Sequence, residues 1–107
     1  MEDLLVYYTT YPDKETTLKI TRILLENRLI ACANIYPIDS LYRWKGEIVE
    51  EKEWVAILKS SVQLKDQLIQ TFNDIHPYDV PCIVHWKANA NMEYLKWVNE
   101  SCKGDEI

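Results

Sequence analysis

The spacing of hydrophobic and polar residues along the chain predicts four strands and three helices. Short runs of apolar and β-branched residues indicate strands, whereas apolar residues three and four positions apart indicate helices with one buried face. The predicted strands are residues 4–10, 31–43, 47–59 and 82–86, and the predicted helices span about residues 13–28, 60–74 and 89–102.

Polar residues that accept hydrogen bonds from backbone N–H groups mark where the helices begin. Thr10 or Asp13 can cap the first helix, and Asn89 or Asn91 can cap the third. Ser60 can cap the second helix because a glutamine follows three residues later and completes a capping box. The resulting order is strand, helix, strand, strand, helix, strand and then an extra helix.

This order predicts an α+β fold, a ferredoxin-like βαββαβ sandwich with an extra C-terminal helix. We expect one domain that covers residues 1–107, since a chain of this length supports a single core. Residues 54–58 are apolar on both faces, which is typical of a central strand. Helices on one face would leave the other face of this sheet bare, so the pattern favours an oligomer.

The second and third strands are predicted to form a long, protruding β-hairpin. Gly46 can supply the positive φ of a tight turn, which we place at residues 44–46. Each arm can reach roughly 43 Å, whereas a compact chain of this length is about 34 Å across. The tip, residues 41–44, is apolar and aromatic, so we expect a second copy to bury it. The alternative is that Pro37 breaks the first arm and leaves a short hairpin. We favour the long one because proline is tolerated at sheet edges.

Composition excludes several classes of protein. The 107 residues are 48% hydrophobic and carry a formal charge of −5, which disfavours disorder and nucleic-acid binding. No apolar run approaches the ~20 residues of a membrane span. The first residues lack the features of a signal peptide, so we expect a cytoplasmic protein. The three cysteines are too widely spaced for a disulfide framework or a zinc knuckle.

Five segments of the chain together resemble one known family, the CutA family of divalent-cation tolerance proteins. They are LIACANIYP at 29–37, LYRWKG at 41–46, ILK at 57–59, HPYDVP at 76–81 and YLKW at 94–97. They occur in the family's order and at fitting spacing over nearly the whole chain. The resemblance implies a ferredoxin-like subunit in a tightly packed homotrimer, with the long hairpins crossing between subunits.

The resemblance also implies a copper site, and the chain departs from the family there. In metal-binding members, the resemblance implies that the ligands are a cysteine at the end of the first strand and a histidine pair just before Pro-Tyr. Thr9, Ile75 and His76 occupy those positions here, so His76 is the one family ligand that remains. Asp79 and Cys82 stand where family members usually carry glutamate.

The residues themselves suggest a candidate metal site made of His76, Asp79 and Cys82. Imidazole and thiolate groups suit copper or zinc, and these three residues lie close together in sequence. The alternative is that His76 caps the last carbonyl groups of the second helix. His85 is three residues from Cys82, so in a regular strand the two face opposite sides and share no site.

Three aromatic residues, Tyr42, Trp44 and Tyr78, are candidates to line a small-molecule cleft between subunits. The alternative is plain interface packing, in which tyrosine and tryptophan are enriched. Glu53 lies in an otherwise apolar arm, and if it is buried it needs a basic partner such as Lys59 or Arg43 of a neighbouring copy.

No catalytic arrangement stands out, because the chain lacks a nucleophile elbow, a phosphate-binding loop and paired carboxylates with a nearby base. We therefore expect no enzyme. Our main hypothesis is a homotrimer for tolerance of divalent cations, copper in particular, with a metal ion as its possible ligand. One alternative is a trimeric signalling module that resembles nitrogen-regulatory proteins and binds a small molecule between subunits. The other is a purely structural scaffold.

Overall fold

A computed structural model describes residues 3–103 of the chain and confirms the α+β class and the order of the elements. Residues 1, 2 and 104–107 of the expected single domain lie outside the described residues. The elements are β1 (Asp3–Tyr11), α1 (Lys14–Glu26), β2 (Cys32–Trp44), β3 (Glu47–Ser61), α2 (Lys65–Ile75), β4 (Ile83–Asn89) and α3 (Met92–Ser101).

The four strands form one antiparallel sheet in the order β2-β3-β1-β4. With the helices in the observed positions along the chain, this order is the ferredoxin-like arrangement that the sequence predicts. β3 lies inside the sheet between β2 and β1, as its apolar run indicates.

Alternate residues of β1 face two separate cores. Leu5 and Tyr7 pack with α1 and α2 in one hydrophobic cluster. Leu4 and Val6 point to the opposite face and pack with α3 in a second cluster. The expectation of a bare second face is therefore wrong in part. The extra helix covers one end of that face, because Leu95 lies against it.

The rest of the second face exposes apolar side chains. Tyr36, Val84 and Trp86 are 39%, 53% and 46% exposed. Strand register places Trp86 opposite Val6, so the two side chains lie on the same face. Exposed apolar surface of this kind is typical of interaction sites.

The long hairpin is confirmed. β2 runs without interruption through Pro37, which lies opposite Trp54, and β2 is an edge strand where a missing N–H is tolerated. Residues 38–44 pair with residues 47–53, and that part of β3 has no pairing to β1. The described part of the chain measures 45 × 28 × 21 Å, so it is elongated.

The turn at the hairpin tip is one residue shorter than predicted. Trp44 belongs to β2 and pairs with Glu47, so Lys45 and Gly46 alone make the turn. Their φ angles are 50° and 83°. Two central residues with positive φ match the twist of the flanking strands, which explains why the hairpin stays regular to its end.

The helix starts confirm one predicted cap and correct another. Asp13 caps α1, because its carboxylate accepts a hydrogen bond of 2.7 Å from the Thr16 N–H group. Ser60 does not cap α2. It lies in β3, and its hydroxyl donates to the Leu29 carbonyl group at 2.6 Å. A short 3₁₀ turn, Val62–Leu64, separates β3 from α2.

Candidate functional site

The main candidate site is a cleft of about 470 Å³ between the protruding hairpin and the loop that follows α2. We call it the hairpin cleft. Its walls carry three carboxylates and three aromatic side chains, and none of the described residues that line it is basic. The lining residues are Glu51, Glu53, Asp79, Tyr42, Trp44, Tyr78, Thr10, Pro77, Val80 and Cys82.

Strand alternation explains why the hairpin residues reach the same cleft. Tyr42 and Trp44 are two residues apart on β2, and Glu51 and Glu53 are two residues apart on β3. Residues with this spacing point to one face of a strand. The antiparallel register brings both pairs to the same face of the hairpin.

A hydrogen-bonded pair, the buried Glu53 and the half-buried Tyr78, joins β3 to the loop. The Tyr78 hydroxyl donates a hydrogen bond of 2.8 Å to Glu53 Oε2, and Glu53 is 7% exposed. Burial, followed by this hydrogen bond and the Glu53 charge, raises the pKa of Tyr78 above its ordinary value. Within residues 3–103 no ion pair forms to Glu53. Residues 3–103 therefore give this buried carboxylate a neutral donor but no cation.

A second pair of the same kind, Tyr42 and Glu51, lies on the hairpin. The Tyr42 hydroxyl donates to Glu51 Oε1 at 2.5 Å. This hydrogen bond raises the pKa of Tyr42 to about 12. Both tyrosines therefore remain protonated at neutral pH and donate to carboxylates on the cleft wall.

His76 lies behind the cleft and does not line it. Its Nδ1 accepts a hydrogen bond of 3.1 Å from the Tyr78 N–H group, so Nε2 carries the proton and donates to the Thr10 carbonyl group at 2.9 Å. The ring stacks on Tyr11 with 4.8 Å between centroids. Burial lowers the pKa of His76. The imidazole is therefore held neutral and orients the loop.

The helix-capping role that the sequence suggested for the His76 imidazole does not match this geometry. The ring does not cap the helix. Instead, the backbone N–H group of His76 caps α2 by donating to the Phe72 carbonyl group. A metal ion could bind the ring only if one of the two hydrogen bonds at its nitrogens were broken.

The three predicted metal ligands do not form a site within one chain. Asp79 and Cys82 line the hairpin cleft, whereas His76 does not. Burial raises the pKa of the Cys82 thiol, which favours the protonated form over the thiolate that binds metals. Across residues 3–103, no three histidine, cysteine, aspartate or glutamate side chains gather into a metal site.

Two other residues singled out from the sequence lie elsewhere. Lys59 Nζ donates to Asn34 Oδ1 at 2.5 Å, so Lys59 is not the partner of Glu53 in its own chain. His85 packs against Tyr7, with 5.1 Å between ring centroids. Sequence reasoning missed Glu51, although its two-residue spacing from Glu53 on a strand was the signal that could have found it.

The sandwich, the long hairpin and the acidic, aromatic cleft define a ferredoxin-like protein with a candidate binding cleft beside its hairpin. Residues 5–101 match the family model of the CutA1 divalent ion tolerance protein. The chain is 44% identical over 99 residues to the divalent-cation tolerance protein CutA of Thermotoga maritima, covering 92% of this chain and 98% of that one. The chain therefore belongs to the CutA1 family, as the resemblance indicated.

Solved structures agree with this assignment. The structure of CutA from Pyrococcus horikoshii is 43% identical and superposes with a TM-score of 0.90, covering 92% of this chain and 99% of that one. A protein from Nostoc described as a PII-like CutA is 32% identical and has a TM-score of 0.87. It covers 92% of this chain, and 97% of its own length is matched.

The predicted cytoplasmic location is wrong. A relative from Archaeoglobus fulgidus, 31% identical with a TM-score of 0.87 over 92% of this chain and 97% of its own, is described as periplasmic. Signal peptides are removed from mature proteins, so the first residues of a sequence do not decide the compartment. In the described part, none of the helices has the length and apolar character needed to cross a membrane.

Proposed function

We propose that this protein contributes to divalent-cation tolerance as a homotrimer without enzymatic activity, and that the hairpin cleft is its binding site for the cation. The observation that carries the proposal is the convergence of Glu51, Glu53, Asp79 and Cys82 on one cleft in a member of this family. Carboxylate oxygens bind divalent cations, and a thiolate adds preference for copper or zinc.

Assembly is part of the proposal because one described chain does not supply three gathered ligands. A neighbouring copy at the cleft would add the missing donors. Copper is the first cation to test, because bound metal can displace the Cys82 proton despite the raised pKa of this thiol.

Two surfaces support the trimer. The protruding part of the hairpin is a two-stranded ribbon, and such a ribbon by itself is only marginally stable in water. Leu41 and Ile48 there are 67% and 70% exposed. The second surface is the apolar part of the sheet that α3 leaves open, around Trp86. Burial of both surfaces by further copies would remove this apolar area from water.

The side chains of Cys82 in the cleft and of His76 outside it support a binding role over catalysis. The Cys82 thiol has a raised pKa, and both ring nitrogens of His76 are engaged in hydrogen bonds. Neither group is therefore poised as a nucleophile or a base. A PII-like role with a small ligand is the second candidate, favoured by the Nostoc relative and by a cleft volume within the usual ligand range. A structural scaffold is the third.

Equilibrium dialysis against Cu²⁺ tests the proposed metal site. We expect the wild-type protein to retain copper, and the Asp79→Asn and Cys82→Ser variants to bind it at least about tenfold more weakly. The matched control is Asp74→Asn, which changes an exposed aspartate on α2 outside the cleft. Equal copper affinity in all four proteins would show that the cleft is not the copper site.

A further inference from the structure

We propose that Cys32 and Cys102 form a site for one monovalent copper ion, held between their two sulfur atoms at the C-terminal end of α3. Soft monovalent copper prefers thiolate ligands. Of the described residues that line the hairpin cleft, Cys82 alone is a cysteine. The two-cysteine site therefore lies outside the cleft and goes beyond the function proposed for it.

The fold brings these two cysteines from opposite ends of the chain to one place. Cys32 begins β2, and Cys102 caps the C-terminus of α3. Ala31, the neighbour of Cys32, packs in the same hydrophobic cluster as Cys102, and Tyr94 packs against that cluster. The Tyr94 hydroxyl oxygen lies 3.2 Å from Cys32 Sγ. Both thiols are free, so two soft ligands are available in this corner of the molecule.

The chain itself holds the end of α3 in this corner. The Arg28 guanidinium donates to the carbonyl groups of Glu100 at 2.9 Å and Ser101 at 3.3 Å. The Cys102 N–H group donates to the Val98 carbonyl group at 3.0 Å. Cys102 is 6% exposed within a single chain, so its burial does not depend on another copy. The Cys102 thiol is thus fixed in place and shielded from water.

Two cations of the chain suit the charge of the proposed site. A monovalent ion held by two thiolates forms an anion. Arg28 lies at the Cys102 end, and Lys59 lies directly opposite Cys32 in the sheet, on the same face. Burial raises the pKa of the Cys102 thiol, whereas the Ser61 N–H group and the Arg28 charge lower it. Copper binding would release both thiol protons to solvent.

The Tyr94 hydroxyl is placed to support a bound thiolate. Burial, followed by the hydrogen bond with Cys32, raises the pKa of Tyr94 to about 12, so the hydroxyl stays protonated and can donate. Hydrogen bonds from outer residues orient metal ligands and tune their affinity. A disulfide would need the sulfur atoms at about 2.05 Å. A hydroxyl that neighbours both cysteines fits the wider spacing of two sulfurs around an ion, each at about 2.3 Å from it.

The test is titration of the reduced full-length protein with Cu⁺ without oxygen, in competition with a coloured Cu⁺ chelator. We expect one ion per chain, with two sulfur neighbours in X-ray absorption at the copper edge. Cys32→Ser and Cys102→Ser each remove a ligand and should bind more than about a hundredfold more weakly, whereas Tyr94→Phe should lose roughly tenfold. Cys82→Ser is the matched control and should bind like wild type.

Four results would overturn the proposal. They are no Cu⁺ retained by the wild type, unchanged affinity in Cys32→Ser, an equal loss in Cys82→Ser, or fewer than two sulfur neighbours per ion. If Cys102→Ser fails to fold, Cys32→Ser at its half-buried position still decides the question. Dialysis against Cu²⁺ with Asp79→Asn and Cys82→Ser reports on the hairpin cleft, so failure of one site is distinguishable from failure of the other.

Discussion

The carboxylate of Glu53 and the hydroxyl of Tyr78 lie 2.8 Å apart and connect the third strand to the loop after α2. The pair links residues that are 25 positions apart in sequence. Because Glu53 is buried on a strand that continues into the protruding hairpin, the pair fixes the loop wall of the cleft relative to the strand wall.

Removal of the Tyr78 hydroxyl should destabilise the protein. Tyr78→Phe leaves the buried Glu53 carboxylate without its donor, which should lower the free energy of unfolding by about 1–3 kcal/mol. Tyr42→Phe is the matched control, because it removes the same group from a hydrogen bond in an exposed setting and should cost less. Urea denaturation measures both variants, and equal losses would contradict the role assigned to the hydrogen bond between Glu53 and Tyr78.

Stability should fall as the pH falls through the range in which His76 titrates. The folded state holds its pKa below the unfolded value of about 6.5, because burial disfavours the imidazolium form. The unfolded state therefore binds more protons in that window. The contribution of His76 is fully present above about pH 6.5 and is lost as the pH falls toward the folded pKa.

The His76→Gln variant isolates this pH effect. Denaturation midpoints of wild type between pH 7.5 and 5 should decline more steeply than those of His76→Gln, which has no group to titrate at this position. Parallel curves for the two proteins would show that His76 is not held neutral by its contacts with Thr10 and Tyr78.

The hairpin turn should tolerate substitution at one central position but not at the other. Gly46 has a φ of 83°, and a side chain there would meet no other atom within 4 Å. Gly46→Val should therefore cost about 1–2 kcal/mol through backbone strain alone. Lys45→Gly relieves a left-handed lysine and should be close to neutral. Thermal unfolding compares the variants, and no penalty for Gly46→Val would refute the two-residue turn.

Truncation at the hairpin tip should weaken the proposed trimer. Trp44 is 46% exposed in the single chain, and Trp44→Ala would remove aromatic area that a second copy is proposed to bury. Trp97→Ala is the control, because Trp97 is 45% exposed but lies on α3, outside residues 41–44 of the hairpin tip. Light scattering over a dilution series should show earlier dissociation for Trp44→Ala alone. Identical dissociation of both variants would place the interface elsewhere.

The long hairpin could be predicted because its signals are local. One stretch of sequence contains both strand-like arms, the glycine at the turn and Pro37, which an edge strand tolerates. Ser60 shows the limit of local signals. Its capping box is genuine in sequence, but pairing with β1 extends β3 to Ser61, so tertiary contacts override the cap.

The candidate site could be predicted only as a set of residue types. Sequence patterns point to the aromatic residues and to Glu53, but the convergence of these side chains depends on a hydrogen bond between a strand and a distant loop. The direction of the His76 ring could not be inferred, because its partner Thr10 lies 66 residues earlier. Long-range contacts of this kind decide whether a histidine binds a metal or orients a loop.

Native mass spectrometry of the purified protein, with and without one equivalent of Cu²⁺ per chain, tests the proposed trimer and its copper site together. We expect a trimer that retains a fixed number of copper ions under gentle activation. A monomer would contradict the assembly that we propose from the exposed hairpin and the open sheet face. A trimer with only loosely held copper would contradict the metal function proposed for the cleft while leaving the fold and the assembly intact.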